Sequence, residues 1–198
     1  LDDTASCFYV QQPNYYGNVE DGDALGRIVH EAGAKYIMGC NPMALAVMKT
    51  PAEYGADIAV GDGQPLGMPL AFGGPYLGFM TATAAMTRKL PVRIVGETAD
   101  NQGRRAFVLT LQAREQHIRR EKASSNVCSN QAWCALTASV YMTAMGADGM
   151  AKAAGQCMSK AHYLRDVLKE AGLEPKHNCE FFHEFVTVSP EGGCTDSA

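Results

Sequence analysis

The fold is decided by the stretch Asp57-Ile58-Ala59-Val60-Gly61-Asp62-Gly63-Gln64-Pro65-Leu66-Gly67, in which a short apolar run leads into a glycine-rich segment that ends at Gly78. An apolar run without polar alternation predicts a strand buried on both faces of a sheet. Six of the eighteen residues from 61 to 78 are glycine, which allows positive φ angles and a close approach of the backbone to a neighbour or ligand. Residues 76–81 form the next predicted strand, so a loop built for close contact joins two strands.

Strand and helix signals alternate ahead of this stretch. We predict strands at residues 7–10 and 36–38, a helix at 23–32, and a short helix at 43–49 that is capped by Asn41-Pro42. In the first helix Leu25, Ile28 and Val29 share one face, and Gly33 ends it. This alternation indicates an α/β fold, in which a mainly parallel sheet is covered by helices.

The sequence after residue 81 is organised differently. Apolar runs at residues 93–98 and 107–111 bracket a polar turn, which predicts a hairpin or an extended loop. Residues 131–145 predict an apolar, mostly buried helix, and residues 181–188 predict a last strand. Between them we predict a long amphipathic helix that begins at Asp148 and ends at Gly172, with one stripe formed by Met150, Ala154, Met158, Ala161, Leu164 and Leu168.

A long helix that leads to a strand is typical of the crossing from a large α/β domain into a smaller one. We therefore predict that residues 1–150 are part of the large domain and that residues 151–198 begin a small α+β C-terminal domain. The first residues show no basic region ahead of an apolar one, so no secretory signal is predicted. A predicted strand begins only a few residues after Leu1, and the last residues are turn-like. We therefore expect this chain to be a piece of a longer polypeptide.

The composition excludes several classes of protein. A net charge of −4, with 46% apolar and 19% charged residues, is typical of a soluble globular protein without a nucleic-acid surface. The sequence contains no apolar run long enough to span a bilayer. Seven scattered cysteines without a C-x-x-C pair, and five scattered histidines, predict no metal site. We expect reduced thiols and a cytoplasmic location.

The glycine-rich segment matches neither of two common nucleotide-binding loops. No lysine follows it as in G-x-x-x-x-G-K-[ST], and the third glycine of G-x-G-x-x-G is out of register after Gly63. Composition alone therefore favours a structural loop or a subunit contact.

Longer blocks carry a resemblance to a known family. They are Ala56 to Gly67, Phe72-Gly73-Gly74-Pro75, Arg93 to Thr98, and Leu109 to Asn126. Together they closely resemble the glycine decarboxylase (P-protein) of the glycine cleavage system, in particular the N-terminal subunit of its two-subunit bacterial form. The resemblance covers essentially the whole chain, and Val92 is one departure, where glycine is expected.

The resemblance implies a fold-type-I pyridoxal-phosphate architecture in which the cofactor lysine belongs to the other subunit. Aligned through the shared Gly-Gly-Pro, Gln64 lies opposite that lysine, and a carboxamide cannot form a Schiff base. Asn41 falls near the usual aspartate that holds the pyridinium nitrogen. We interpret this site as degenerate, in preference to an alternative lysine such as Lys35 or Lys49. Its positions are Asn14, Asn41, Gln64, Gly73 and Gly74, although a simple type I turn at Pro13 is favoured for Asn14.

A basic block is the other candidate for function. Its members are Arg114, His117, Arg119, Arg120, Ser124, Ser125 and Asn126. Arginine binds carboxylate and phosphate through paired donors. Our hypothesis is that this block lies at the interface with the cofactor-bearing subunit and helps shape its pocket for glycine and phosphate. The alternative is an ion-paired surface helix, and for His117 a structural role is favoured over acid–base chemistry.

The function implied by the resemblance is that of a non-cofactor-carrying subunit of glycine dehydrogenase (decarboxylating). With its partner, in a heterodimer or a dimer of heterodimers, it would decarboxylate glycine and pass the aminomethyl group to the lipoyl arm of H-protein. Pyridoxal phosphate would be bound by the partner, and none covalently by this chain. Two alternatives stay open: a stand-alone pyridoxal-phosphate decarboxylase or transaminase, and a purely structural or regulatory pseudoenzyme subunit.

Overall fold

The structure is a computed structural model that describes residues 1–90, 94–110, 116–123 and 131–188. Two compact units make up the chain. The first joins residues 1–81 to the residues from 131 onward, and the second contains residues 82–130. The predicted domain boundary near residue 150 stays a prediction.

The first unit is built on a four-stranded sheet in the order β1-β2-β3-β4. The strands are β1 (Cys7–Gln12), β2 (Lys35–Cys40), β3 (Ile58–Asp62) and β4 (Gly78–Ala82). β1, β2 and β3 run parallel, with Gln12 opposite Cys40 and Gly39 opposite Val60. The prediction of an α/β fold with a mainly parallel sheet is confirmed.

Helix α1 (Gly22–Glu31) makes the crossover between β1 and β2. The side chain of Asp21 caps it by accepting a hydrogen bond from Ala24 N at 3.0 Å. Val29 packs with Tyr36 and Met38 in one buried cluster between the helix and the sheet. β2 is buried over most of its length, whereas β3, which was predicted to be buried on both faces, is only partly buried apart from Ala59. β1 alternates between exposed and partly buried residues from Cys7 to Gln11, because its successive side chains point to opposite faces of the sheet.

A second apolar cluster fixes the long helix α3 (Ala132–Glu170). Ala138 and Ala154 are buried in it together with Leu66 and Phe182. Gly146 has a φ of +62° and interrupts the helix, so the two predicted helices are two segments of α3. Gly172, at a φ of +90°, lies just beyond the helix end as predicted.

The prediction that the first segment of α3 is mostly buried is wrong. Only the stripe of Cys134, Ala138, Tyr141 and Met145 is turned inward, and Trp133 is 81% exposed. In the second segment Met150, Ala154 and Met158 pack inward, whereas Leu164 is exposed.

Two smaller predictions are also wrong. The helix predicted at residues 43–49 is a single 3-10 turn, Ala44–Ala46, and the following Pro51 disfavours helical geometry at Thr50. The strand predicted at residues 181–188 is reduced to isolated bridges, such as Asn18 to Phe181. The ring of Phe181 stacks on His162 at 4.0 Å between centroids, so side-chain packing holds this segment instead of a strand ladder.

The second unit contains the predicted hairpin. Strands β5 (Ile94–Ala99) and β6 (Arg105–Thr110) pair antiparallel. Asp100 organises the turn, because its carboxylate accepts from the backbone nitrogens of Gln102 and Arg104. A 3-10 helix (Ala84–Lys89) precedes the hairpin, and a short helix α2 (Gln116–Arg119) and a 3-10 turn (Arg120–Lys122) follow it.

Among the described residues, none of the helices has the length and apolarity to cross a bilayer. The same part of the chain holds no group of three or more histidine, cysteine, aspartate or glutamate residues that could bind a metal ion. The five cysteines it includes are free thiols.

Candidate functional site

A cavity of about 480 Å³ lies where the parallel strands end. The carboxyl ends of β1, β2 and β3 meet at one edge of the sheet, which is where open α/β sheets bind ligands. Its lining includes Gln11 from β1, Asn41 after β2, and Asp62, Gln64 and Tyr76 from the glycine-rich segment and its end. None of these five side chains is an amine, because three are carboxamides, one is a carboxylate and one is a phenol. Two of the three carboxamides, Asn41 and Gln64, come from predicted degenerate positions.

Gln64 is held as part of the loop. Its backbone nitrogen donates to the Asp62 carboxylate at 2.8 Å, and its side-chain Nε2 donates to the carbonyl oxygen of Met68 at 2.7 Å. The next turn is anchored by Leu66, which is buried in the α3 cluster. The Gln64 amide thus ties together the two sides of its own turn, and it offers no nucleophilic nitrogen.

Asn41 is likewise a turn residue, and its Oδ1 accepts from Met43 N at 2.9 Å. Within the described part of the chain, its Nδ2 donates to no acceptor, so the amide presents a hydrogen-bond donor where a carboxylate would accept one. The second amide, Gln11, accepts from the Tyr9 hydroxyl at 2.6 Å. The polar groups of this cavity are therefore mainly uncharged.

The lysines considered as alternatives lie elsewhere. Lys35 is the first residue of β2, at the end of the strand away from the cavity, and its Nζ is 2.7 Å from an Asp57 oxygen. Lys49 pairs with Asp23 at 2.7 Å. Of the residues that the structure describes, no lysine or arginine lines the cavity. Burial raises the pKa of the Cys40 thiol, which keeps that lining group neutral.

Asn14 organises a loop beside the cavity. Its Oδ1 accepts from the backbone nitrogens of Tyr16 and Asn18, and its Nδ2 donates to Glu20. The hydrogen-bonded turn runs from Asn14 to Gly17, whose nitrogen donates to the Asn14 carbonyl at 2.9 Å. The turn predicted at Pro13 therefore lies one residue later, with Asn14 as its first residue. With Asn41, Asn14 lines a second cavity of about 460 Å³.

Gly73 and Gly74 lie in a self-contained loop that does not line the cavity. Gly74 N donates to the Ala71 carbonyl at 2.8 Å, and Ala71 N donates to the Tyr76 hydroxyl at 2.9 Å. Gly73 has a φ of +97°, which favours glycine, and Phe72 at the loop tip is 93% exposed.

Most of the basic block lies outside the described residues. Arg114, Ser124, Ser125 and Asn126 belong to that undescribed part, and for His117 only the backbone of helix α2 is described. Arg119 and Arg120 are exposed at the end of that helix and in the following 3-10 turn. Their role at an interface stays a prediction.

Sequence reasoning missed Gln11 and Tyr76, which line the cavity only because the sheet topology brings three chain segments to one edge. It also missed the carboxylate of Asp57, which lies at the opposite end of the sheet and has three hydrogen-bond donors around it. The Asp57 side chain accepts from Lys35 Nζ at 2.7 Å, Tyr36 N at 3.0 Å and His30 Nε2 at 3.1 Å. Burial would raise the pKa of Asp57, but these hydrogen bonds outweigh it and lower the pKa below its ordinary value.

Solved structures identify the class of this fold. Mouse CSAD in its apo form is similar over 89% of this chain, with a TM-score of 0.58 and 15% identity, which is evidence for the fold alone. The fold is that of fold-type-I pyridoxal-phosphate-dependent enzymes. A crystal structure of glycine decarboxylase (P-protein) of the glycine cleavage system, in inhibitor-bound form, is much more similar. It has a TM-score of 0.88 and 44% identity, and the match covers 92% of this chain and 42% of that one.

The sequence comparisons agree. A probable glycine dehydrogenase (decarboxylating) subunit 1 from Chlorobium luteolum is 52% identical over 191 residues, which cover 96% of this chain and 43% of the relative. The family model for the glycine cleavage system P-protein matches residues 2–197. The chain therefore belongs to the glycine cleavage system P-protein family, and it spans about two fifths of the length of the curated relatives it matches.

Proposed function

We propose that this chain belongs to the non-cofactor-carrying subunit of a two-subunit glycine decarboxylase. The observation that carries the proposal is the state of Gln64, whose side-chain nitrogen is an amide engaged with the Met68 carbonyl. The names of its relatives as subunit 1 support the existence of a partner subunit.

The residues at the carboxyl edge do not fit pyridoxal phosphate as a covalently held cofactor. Gln64 supplies no amine for a Schiff base. Asn41 supplies no negative charge to a pyridinium nitrogen, and the described lining of the cavity offers no lysine or arginine to a phosphate. In this proposal the cofactor is therefore held by the partner, where it supplies the electron-accepting chemistry of decarboxylation.

This subunit then contributes to the partner's site and to its assembly. Glycine would be the substrate, lipoyl H-protein would take the aminomethyl group, and the complex would be a heterodimer or a dimer of heterodimers in the cytoplasm. The basic block is the part proposed to complete the partner's pocket, because arginine recognises both the carboxylate of glycine and a phosphate.

Separate expression of the full-length subunit and its cofactor-bearing partner tests this function. Lysine-linked pyridoxal phosphate should be trapped by borohydride on a peptide of the partner, and glycine decarboxylation should require both polypeptides. Trapping on any residue of the present chain would instead establish a stand-alone enzyme. Full activity of the partner alone would establish a structural pseudoenzyme.

The basic block has its own test in the reconstituted pair. Replacing Arg114 and Arg119 by glutamine should lower kcat/KM for glycine by roughly tenfold or more, since a hydrogen bond to a charged group contributes about 1.5–3 kcal/mol. Arg105→Gln is the matched control, because Arg105 is an exposed cation of the same unit that pairs with Glu97. Equal activity of the double variant and the control would show that the basic block does not contribute to the partner's pocket.

A further inference from the structure

The cavity at the carboxyl edge of the sheet contains two amide nitrogens that the fold itself does not use. The oxygen of Gln11 accepts from the Tyr9 hydroxyl. The oxygen of Asn41 accepts from Met43 N. Within the described part of the chain, neither Gln11 Nε2 nor Asn41 Nδ2 donates to an acceptor. Gln11 lies in β1 and Asn41 directly follows β2, so the two donors stand at the ends of neighbouring parallel strands. Two such donors suit the two oxygens of a carboxylate.

The same cavity contains two oxygens that are free to accept. Asp62 is the last residue of β3, and its Oδ1 accepts from Gln64 N at 2.8 Å. Its Oδ2 accepts from none of the described residues, and the same is true of Gln64 Oε1, whose amide nitrogen donates to Met68. A carboxylate oxygen beside an amide oxygen suits an ammonium group, which has three protons to donate.

The charge of the lining selects against anionic ligands. The adjoining cavity of about 460 Å³ shares Gln11 and Asn41 with this one and adds His183 and Glu184. Among the described residues that line the two cavities, the acidic side chains are Asp62 and Glu184, and none is a lysine or an arginine. A phosphate would therefore meet negative charge without a cation to bind it, whereas a ligand with an ammonium group would be attracted.

We propose that this cavity binds a free α-amino acid noncovalently. The ammonium group is held by Asp62 and Gln64, and the carboxylate is held by the amides of Gln11 and Asn41. The proposal rests on the proposed function, in which this chain carries no pyridoxal phosphate. It adds that the edge of the sheet from which the cofactor is absent has its own ligand, which is recognised by hydrogen bonds and by the carboxylate of Asp62.

The position and size of the cavity favour a small solute as its occupant. The carboxyl ends of parallel strands are the place where open α/β sheets bind small ligands. A volume of about 480 Å³ lies within the range of small-molecule sites. Each described residue that lines the cavity belongs to the first compact unit, so the site is formed by one unit of this chain.

Glycine and its two chemical halves test the proposal. The full-length subunit, expressed without its partner, is titrated with glycine, acetate and methylamine, and binding is measured by saturation-transfer NMR on the carbon-bound protons of each probe. Glycine should bind saturably with a Kd on the order of 1 mM, and each half should bind at least about tenfold more weakly. Inorganic phosphate should not displace glycine. The absence of saturable glycine binding up to about 50 mM would overturn the proposal, because another part of the polypeptide then fills the cavity or the cavity binds no amino acid. Displacement by phosphate would overturn it as well.

Two substitutions locate the binding site. Asn41→Asp keeps the acceptor for Met43 N and replaces the free donor by a negative charge, so it should weaken glycine binding at least about tenfold. Asp62→Asn keeps the acceptor for Gln64 N and should weaken it at least about fivefold. Asp23→Asn is the matched control, because Asp23 is an exposed carboxylate of helix α1 that does not line the cavity, and it should change Kd less than about twofold.

Circular dichroism and Tm of each variant confirm that it is folded. Glycine binding that is unchanged in both cavity variants would overturn the proposal while leaving the proposed function intact. The proposed function fails separately, if borohydride traps pyridoxal phosphate on a residue of this chain.

Discussion

The carboxylate of Asp57 provides the sharpest test of how the first unit is held together. This side chain is 12% exposed and accepts hydrogen bonds from a lysine, a histidine and the backbone nitrogen of Tyr36. The bond from Tyr36 N is buried, and a hydrogen bond to a charged group contributes about 1.5–3 kcal/mol. Lys35 and His30 have side chains that are 49% and 45% exposed, so each of these two contacts adds only about 0–1 kcal/mol.

Two substitutions separate these contributions. Asp57→Asn keeps an acceptor for Tyr36 N and removes the charge, so it should lower the free energy of unfolding by about 1–2 kcal/mol. Asp57→Ala leaves the buried nitrogen without its acceptor and should lower it by about 2–4 kcal/mol. Both are measured by urea unfolding of the full-length subunit at neutral pH.

The pH dependence has a defined sign. The pKa of Asp57 is lowered on folding from its ordinary value of 3.8. Its contribution is therefore complete above that value and is lost as the pH falls through the lower pKa of the folded state. The stability difference between wild type and Asp57→Asn should shrink below pH 3.8. A difference that stays constant across that range, or an Asn variant as stable as wild type at pH 7, would refute the reasoning.

Two further substitutions test the loop and the cavity. Gln64→Lys supplies an amine, yet it should not acquire borohydride-trapped pyridoxal phosphate, because Asn41 carries no charge and the described lining offers no cation for the phosphate; a trapped cofactor would show that these residues do accommodate it. Gly67→Ala should lower the free energy of unfolding by about 2–4 kcal/mol, because an added Cβ meets an α3 ring at 2.7 Å and the φ is +83°. Gly103→Ala, at a φ of +75° with open space around it, is the control and should cost only about 1 kcal/mol; equal losses at the two positions would exclude the packing explanation.

The parts of the fold that follow from local sequence signals were predictable. The strands at Cys7–Gln12 and Lys35–Cys40 and the helix between them need only apolar spacing and a terminal glycine. The segment at residues 43–49 and the one at 181–188 depend on tertiary contacts instead. Phe181 carries a strand-like sequence, but its ring is held against α3 by His162 and no neighbouring strand is available to it among the described residues.

The candidate site also has one part that the sequence predicts and another part that only the tertiary contacts reveal. The absence of an amine at position 64 follows from the sequence, because the residue type alone settles whether a Schiff base can form. The bond from Gln64 to Met68 and the contribution of Gln11 to the cavity depend on how the loop closes and how the strands are ordered. No local pattern of residues reports these contacts, since the partners are brought together only by the sheet.

The outer face of α3 shows what kind of information a hydrophobic pattern carries. The apolar run from Gln131 to Met145 predicts a buried helix, whereas Trp133 and Val140 are largely exposed in this chain. The second segment of the helix, with lysines on its outer face, shows that the sequence does place charges where water remains. Selection acts on the protein in its working assembly, so an uncharged face indicates burial there. The chain spans about two fifths of the length of its curated relatives, so we expect the rest of the full-length polypeptide or a neighbouring chain to cover this face in that assembly.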